Sequence, residues 1–253
     1  MAAIILAPLY PLLGWSFSTK WTYPSPLPND FTIEKFLGVL ARDAYVEAIY
    51  NSIVLAVVVT LLSLALGFFA AKTLGMNEFR GRKALEILML LPALAPAIAI
   101  LFGIREVFVN MGLYLTWTSV VIAQTVFTLP YIIMLLIPVF RNYDADFEHQ
   151  AATLGISKVS TLIHVTLPSI RSGVVVACMF TFMISWSMYL VVSFLAPTGF
   201  TTLATLLLPL ISAQASNTDV AVMTLMFILP ALLVFIFSSK MLNDSTEERM
   251  WGP

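Results

Sequence analysis

Charge is scarce in this sequence. Of its 253 residues only 11% are Asp, Glu, Lys or Arg, against roughly 25% in a soluble globular domain. Thirteen basic and fourteen acidic side chains leave a net charge of -1, so there is no basic surplus with which to hold nucleic acid. A single cysteine, Cys178, excludes a disulfide framework and a thiolate metal cluster. Histidine occurs only at His149 and His164, too few for a His-rich metal site, and no metal or cofactor is expected. The sequence lacks a Gly-rich phosphate loop followed by Lys-Ser/Thr, and it lacks His-Glu-x-x-His and Gly-x-Ser-x-Gly. No enzymatic chemistry is therefore expected in this chain. Alternating segments of about ten residues, the mark of a transmembrane β-barrel, are missing too.

What is abundant is apolar. Sixty per cent of the residues are hydrophobic, and mean hydropathy is +0.94. Charge-free runs cover residues 1–19, 48–71, 87–104, 107–140, 172–218 and 220–239, and every charge falls outside them. A helix needs about 20 apolar residues to cross the hydrocarbon core of a bilayer. The expected fold class is all-α: a polytopic membrane protein with six transmembrane helices, in one transmembrane domain over residues 1–253. The spans are expected at about 2–18, 48–71, 85–104, 117–139, 173–195 and 220–239. Residues 2–18 lack the basic flank and the small-residue cleavage site of a secretory signal and read as an uncleaved first helix. Residues 21–47, with Pro24, Pro26 and Pro28, read as a loop with a short surface helix. Pro197, Gly199 and Pro209 interrupt the long run at 172–218, so 197–218 reads as an outer loop with a short apolar helix.

Basic residues favour the cytosolic side of a membrane. With six spans, one side receives Lys72, Arg80, Arg82, Lys83, Arg141, Lys158, Arg171, Lys240 and Arg249, and the other Lys20, Lys35, Arg42 and Arg105. Both termini and the 72–84 and 141–171 loops are expected in the cytosol.

The segment 141–171 carries the most information. Residues 144–155 read as a short helix with Asp144 or Asp146 as N-cap, acids in its first turn, and Gly155 in the left-handed position that ends many helices. Phe147, Ala151 and Leu154 recur at helical spacing and are expected to share one face. Ala151 and Ala152 keep the helix thin enough for close approach. Ser157 is placed to cap a second short helix, expected to stop at Leu167 because proline disfavours helix in the residue before it. By pattern alone this is equally an amphipathic loop lying on the lipid surface.

The spacing resolves further. Gly155, nine residues, Val165, one residue, then Leu167 and Pro168 resembles the cytosolic signature of permease subunits in binding-protein-dependent ABC importers. That signature runs Glu-Ala-Ala, three residues, Gly, nine residues, Ile, one residue, Leu-Pro. The match holds at Ala151, Gly155, Leu167 and Pro168 and is conservative at Val165, while His149 and Gln150 stand where the family has Glu and Ala. Glu148 is one residue away, about 100° around a helix, so it does not occupy the same place. Asn51 and Ser52, the Phe79–Lys83 run with Leu90, Leu91, Pro92 and Pro96, and Leu129, Pro130 and Tyr131 extend the likeness over roughly 45–240. Its feature order is most similar to the spermidine/putrescine, iron, thiamine and phosphonate permeases. The resemblance implies the type I importer transmembrane fold in a bacterial inner membrane. It also implies two ATPase subunits, a second permease chain and a solute-binding protein as partners. Residues 144–168 would then dock on the ATPase, with Asp144, Phe147, Glu148, His149, Ala151, Ala152, Leu154, Gly155, Val165, Leu167 and Pro168 in the coupling element.

Few polar residues lie in the spans. Gln124 would line a pathway or bond a neighbouring helix. Ser185, Trp186, Ser187 and Tyr189 would face a translocation path, with packing as the alternative for the two aromatics. Pro92, Pro96, Pro130 and Pro138 are candidate bends. A secondary transporter or channel is the main rival, but such proteins usually carry ionisable groups in mid-membrane, and only Glu86, near one end of a span, qualifies. An intramembrane enzyme would need a base beside Ser185 or Ser187, and no span contains a histidine.

Overall fold

The computed structural model describes residues 9–18, 21, 25–28, 30–212 and 216–251, with backbone alone for 93 and 239–251. The described residues form helices and no strand: α1 Leu9–Ser16, α2 Glu34–Leu40, α3 Asp43–Met76, α4 Arg82–Leu94, α5 Ala97–Asn110, α6 Trp117–Arg141, α7 Asp146–Thr153, α8 Lys158–Thr161, α9 Leu167–Ser169, α10 Arg171–Trp186, α11 Tyr189–Leu195, α12 Leu203–Ser212 and α13 Asn217–Trp251. Among them α3, α6 and Asn217–Ser238 of α13 are long and apolar enough to cross a membrane, and counting each of two bent pairs as one span gives up to five. The six-span count is thus not reached among the described residues: of the expected first span, residues 2–8 lie outside them and Leu9–Ser16 form only the short α1.

Helices α3 and α6 form the centre. At 1.5 Å per residue the 34 residues of α3 extend about 51 Å, longer than the ~30 Å hydrocarbon core. Helix α6 begins at a capping box in which the Ser119 N–H donates to Thr116 Oγ1 and the Thr116 N–H donates to Ser119 Oγ. The two helices meet where α3 has no side chain. A Cβ on Gly75 would lie 2.5 Å from Phe140 Cβ and 3.0 Å from the Ile137 carbonyl oxygen; one on Gly67 would lie 2.8 Å from Ile132. Phe68, Leu74, Ile132, Leu136 and Phe140 fill the seam at one end, and Leu55, Val59, Val120 and Phe127 fill it at the other. Helix α10 packs on both. The outward faces, with Leu61, Leu66, Phe69 and Phe235, remain apolar and exposed, as a lipid-facing belt requires.

Two expected spans are broken. The stretch 85–104 is not one helix: α4 and α5 meet at an 85° bend, with Ala95 and Pro96 both extended. Pro96 drives this, since a proline ring clashes with helical geometry in the residue before it. Pro130 and Pro138, by contrast, sit inside α6 without ending it. The stretch 173–195 is divided too. Helix α10 stops at Trp186, Met188 takes φ -81 and ψ 75, and the Tyr189 N–H donates to the Ser187 carbonyl in an inverse γ-turn before α11 begins.

The bundle has two distinct ends. At one, Glu86 accepts from Arg82 of its own helix and from Arg141 at the end of α6, both at 3.1 Å. At the other, Arg42 pairs with Asp219 at the start of α13.

The seam yields a direct test. Gly75→Ala should cost about 1–3 kcal/mol by overpacking against backbone-anchored atoms. Gly103→Ala, with no atom within 4 Å of the new Cβ, should not destabilise. Thermal unfolding of the purified chain in detergent would compare them, and equal midpoints would contradict the packing.

Candidate functional site

The candidate site is the segment from Arg141 to Arg171, built as two short helices and a widened turn. Helix α7 starts at Asp146, and neither Asp144 nor Asp146 is its N-cap residue. Ala145 holds that position without a side-chain cap, and Asp144 instead accepts the Asp146 N–H at 2.9 Å in a local turn. At the other end Gly155 has φ +75. The Ile156 N–H reaches the Ala151 carbonyl and the Gly155 N–H the Ala152 carbonyl, the paired bonds of a Schellman stop. Ser157 caps α8, accepting from the Ser160 N–H.

The second helix does not stop at Leu167. After Thr161 it widens into a π-helical turn, Leu162–Thr166, in which the Leu167 N–H bonds the Leu162 carbonyl, and it continues through Pro168 to Ser169. An α-helical turn here would press the proline ring on the carbonyl four residues back, that of His164, and the wider turn avoids this. The α8–α9 segment meets α10 at 81°, so the loop lies across the end of the span it feeds.

One carboxylate organises the loop. Lys72, in the last turns of α3, donates to both oxygens of Glu148 at 2.7 and 2.8 Å. Thr166, from the π-helical turn, donates to the same carboxylate at 2.7 Å, and the Tyr143 hydroxyl reaches Thr166 at 3.5 Å. Burial pushes the Glu148 carboxyl up, but the bonds from Lys72 and Thr166 outweigh it and hold the group below the ordinary 4.5. Sequence reasoning named Glu148 but missed Lys72 and Thr166; the one available signal was an isolated lysine closing a charge-free span. His149 is exposed, 3.6 Å from Asp146. A cleft of about 390 Å³ beside the carboxylate is lined by Lys72, Glu148, His149, Ala152, Lys158 and Thr166 among others.

The loop also exposes apolar side chains. Phe147, Ala151 and Leu154 do not share one environment: Ala151 is buried, Phe147 is half exposed, and Leu154, just past the helix, is 78% exposed. Leu154 joins Ile156, Val159 (67% exposed), Ile163 and Leu167 as uncovered hydrophobic side chains on a segment otherwise rich in polar ones. Val165 is partly buried, and Ala152 and Pro168 are exposed.

The polar residues of the spans separate into two sets. Gln124 is fully buried and its Oε1 accepts from Ser185 Oγ, joining α6 to α10, while its Nε2 has no hydrogen-bond partner. Trp186 is buried, stacks between Phe182 and Phe227, and donates Nε1–H to the Phe227 carbonyl at 3.1 Å. Ser187 is exposed and Tyr189 half-buried, both at the break between α10 and α11. No group of three or more His, Cys, Asp or Glu that could hold a metal occurs among the described residues.

The family described as binding-protein-dependent transport system inner membrane component matches residues 63–250, which include the entire loop. This chain belongs to that family. Among similar proteins, the putative 2-aminoethylphosphonate transport system permease protein PhnV of Salmonella typhimurium is 26% identical over 90% of this chain and 86% of its own length. The spermidine/putrescine transport system permease protein PotC of Haemophilus influenzae is 25% identical over 77% of this chain and 76% of its own. The trehalose transport system permease protein SugB of Mycobacterium tuberculosis is 27% identical over 64% of this chain, and the match spans only 59% of its length. Among solved structures, a bacterial ABC transporter importing the polysaccharide alginate shares the fold, with TM-score 0.74, 19% identity, and coverage of 94% of this chain and 91% of that one. Sugar permeases thus stand beside polyamine and phosphonate permeases, and overall likeness does not select a solute.

The depressed carboxyl has a measurable consequence. A group whose folded pKa lies below its unfolded value stabilises above the unfolded pKa and loses that contribution as pH falls through the folded one. Hydrogen-exchange protection of α7, corrected for intrinsic rates, should therefore persist through pH 4.5 and fall only at more acid pH. Glu148→Gln should abolish that step; an unchanged step would assign it to another group.

Proposed function

We propose that this chain is the permease subunit of an ATP-driven importer in a bacterial inner membrane, with both termini cytosolic. It pairs with a second permease chain and works with two ATPase subunits and a solute-binding protein. Residues 144–168 seat on an ATPase subunit and pass its nucleotide-driven closure to the spans. The observation that carries this reading is the exposed apolar set Leu154, Val159 and Ile163 on a loop with a Schellman stop at Gly155 and a Ser157 cap. Exposed apolar patches of this kind mark protein or membrane interaction sites, and the loop's importer-like spacing favours a protein. A loop crossing at 81° to α10 can transmit rigid-body motion to the helix it feeds.

The solute path follows from the same division of polar groups. Ser187 and Tyr189 sit where the backbone leaves helical geometry, and irregular backbone at membrane depth is tolerated where it is buried in protein or lines a cavity. They line the path. Gln124, Ser185 and Trp186, each bonded to a neighbouring helix, fix the wall behind it.

Placing two charges on this set tests the docking. In Leu154→Asp with Val159→Asp, recovery of the ATPase subunit with the purified permease should fall at least about tenfold, while the permease itself stays folded. Undiminished recovery would contradict the docking surface.

A further inference from the structure

Loop 144–168 is covalently continuous only with α6 and α10, yet its best-bonded side chain reaches a third helix. Glu148 takes two bonds from Lys72 of α3 and one from Thr166, and no other carboxylate in the described loop makes comparable contacts. Asp144 accepts the local Asp146 N–H, and the charged group Asp146 meets is His149, at 3.6 Å. The pair is mostly covered, with side-chain exposures of 27% for Lys72 and 22% for Glu148, so solvent screens it less than a surface pair.

The far end of α3 is fastened as well. Asn51 Nδ2 donates to the Thr201 carbonyl at 3.0 Å, and the Leu203 N–H donates to the buried Ser52 Oγ at 2.7 Å. Arg42, at the N-cap of α3, pairs with Asp219. Between these attachments α3 runs unbroken for 34 residues, whereas the α4–α5 and α10–α11 passages are interrupted. A continuous helix held at both ends carries displacement along its length; a helix with an 85° bend does not do so equally.

We propose that Glu148 is a positioning residue that locks the loop to α3, making α3 the strut by which movement of the loop reaches the outer segment 201–203 and the start of α13. The proposal rests on the docking reading and adds a route to it. Exposed His149 takes no part in the lock; Glu148, one position earlier, faces inward and does.

Charge exchange separates this from simple packing. Spin labels on Thr153→Cys in α7 and Asn77→Cys at the end of α3, with Cys178→Ala, report the loop-to-strut distance in the full complex with its ATPase in lipid nanodiscs. The original pair should give one narrow distance, the same with ADP and with ATP plus vanadate. Glu148→Lys alone should broaden it at least about twofold and make it depend on nucleotide, as should Lys72→Glu alone. The double exchange Lys72→Glu with Glu148→Lys should restore the narrow distribution. A single variant as narrow as the original, or a double exchange no better than the singles, would each overturn the proposal. If the unaltered chain holds no ATPase subunit, the docking reading fails instead, and the same widths measured on the chain alone still decide the lock.

Discussion

The close contact of α3 with α6 is the constraint on which the remainder rests. In a bilayer, burying Leu against Leu gains little over burying it in lipid, so helices associate through tight packing and interhelical hydrogen bonds. Here Gly67 and Gly75 let α3 approach Ile132, Ile137 and Phe140, Phe68 meets Phe140 edge to face at 5.1 Å, and Ser63 and Thr128 share a buried 2.7 Å hydrogen bond. Helix α10 packs on the pair so formed. The loop leaves α6 beside the end of α3, which is why Lys72 is within reach of Glu148.

Polarity is placed against the usual sense in two regions, and both bear on function. Inside the bundle, Ser185 donates to Gln124 Oε1 and Trp186 to the Phe227 carbonyl, each on a neighbouring helix, while Gln124 Nε2 has no partner. No ion pair among the described residues lies in mid-membrane; those present tie the two ends. Outside the bundle, the loop presents Leu154 and Val159 to solvent while its one well-bonded carboxylate turns inward. Intramembrane ionisable groups usually mark ion coupling, and exposed apolar side chains on a loop mark a contact with protein or membrane.

Much of this was legible in the sequence. Charge-free runs located apolar helices because a buried or lipid-facing helix excludes charge, and the spacing from Gly155 to Pro168 identified the loop. Gly155 itself was readable, since a helix stop at positive φ selects glycine. What was not legible depended on tertiary context. Pro96 breaks its span and Pro130 does not, though both sit in apolar runs, because neighbouring helices decide whether a freed backbone group is tolerated. The break at Ser187 has no proline or glycine to announce it. Glu148 and Lys72 are 76 residues apart, and only the α3–α6 seam brings them together. The α7 face was misread because Leu154 falls in the cap, where helical spacing no longer applies.

The central claim is that the exposed apolar side chains of the loop seat on an ATP-hydrolysing subunit. A photoreactive amino acid at position 154, irradiated in native membranes and followed by mass spectrometry of the adduct, tests it most directly. The account predicts an adduct with a protein carrying a Gly-rich phosphate loop followed by Lys-Ser/Thr, formed far less from a reactive group at Leu61 on the lipid-facing side of α3. Adducts at position 154 confined to lipid would contradict it.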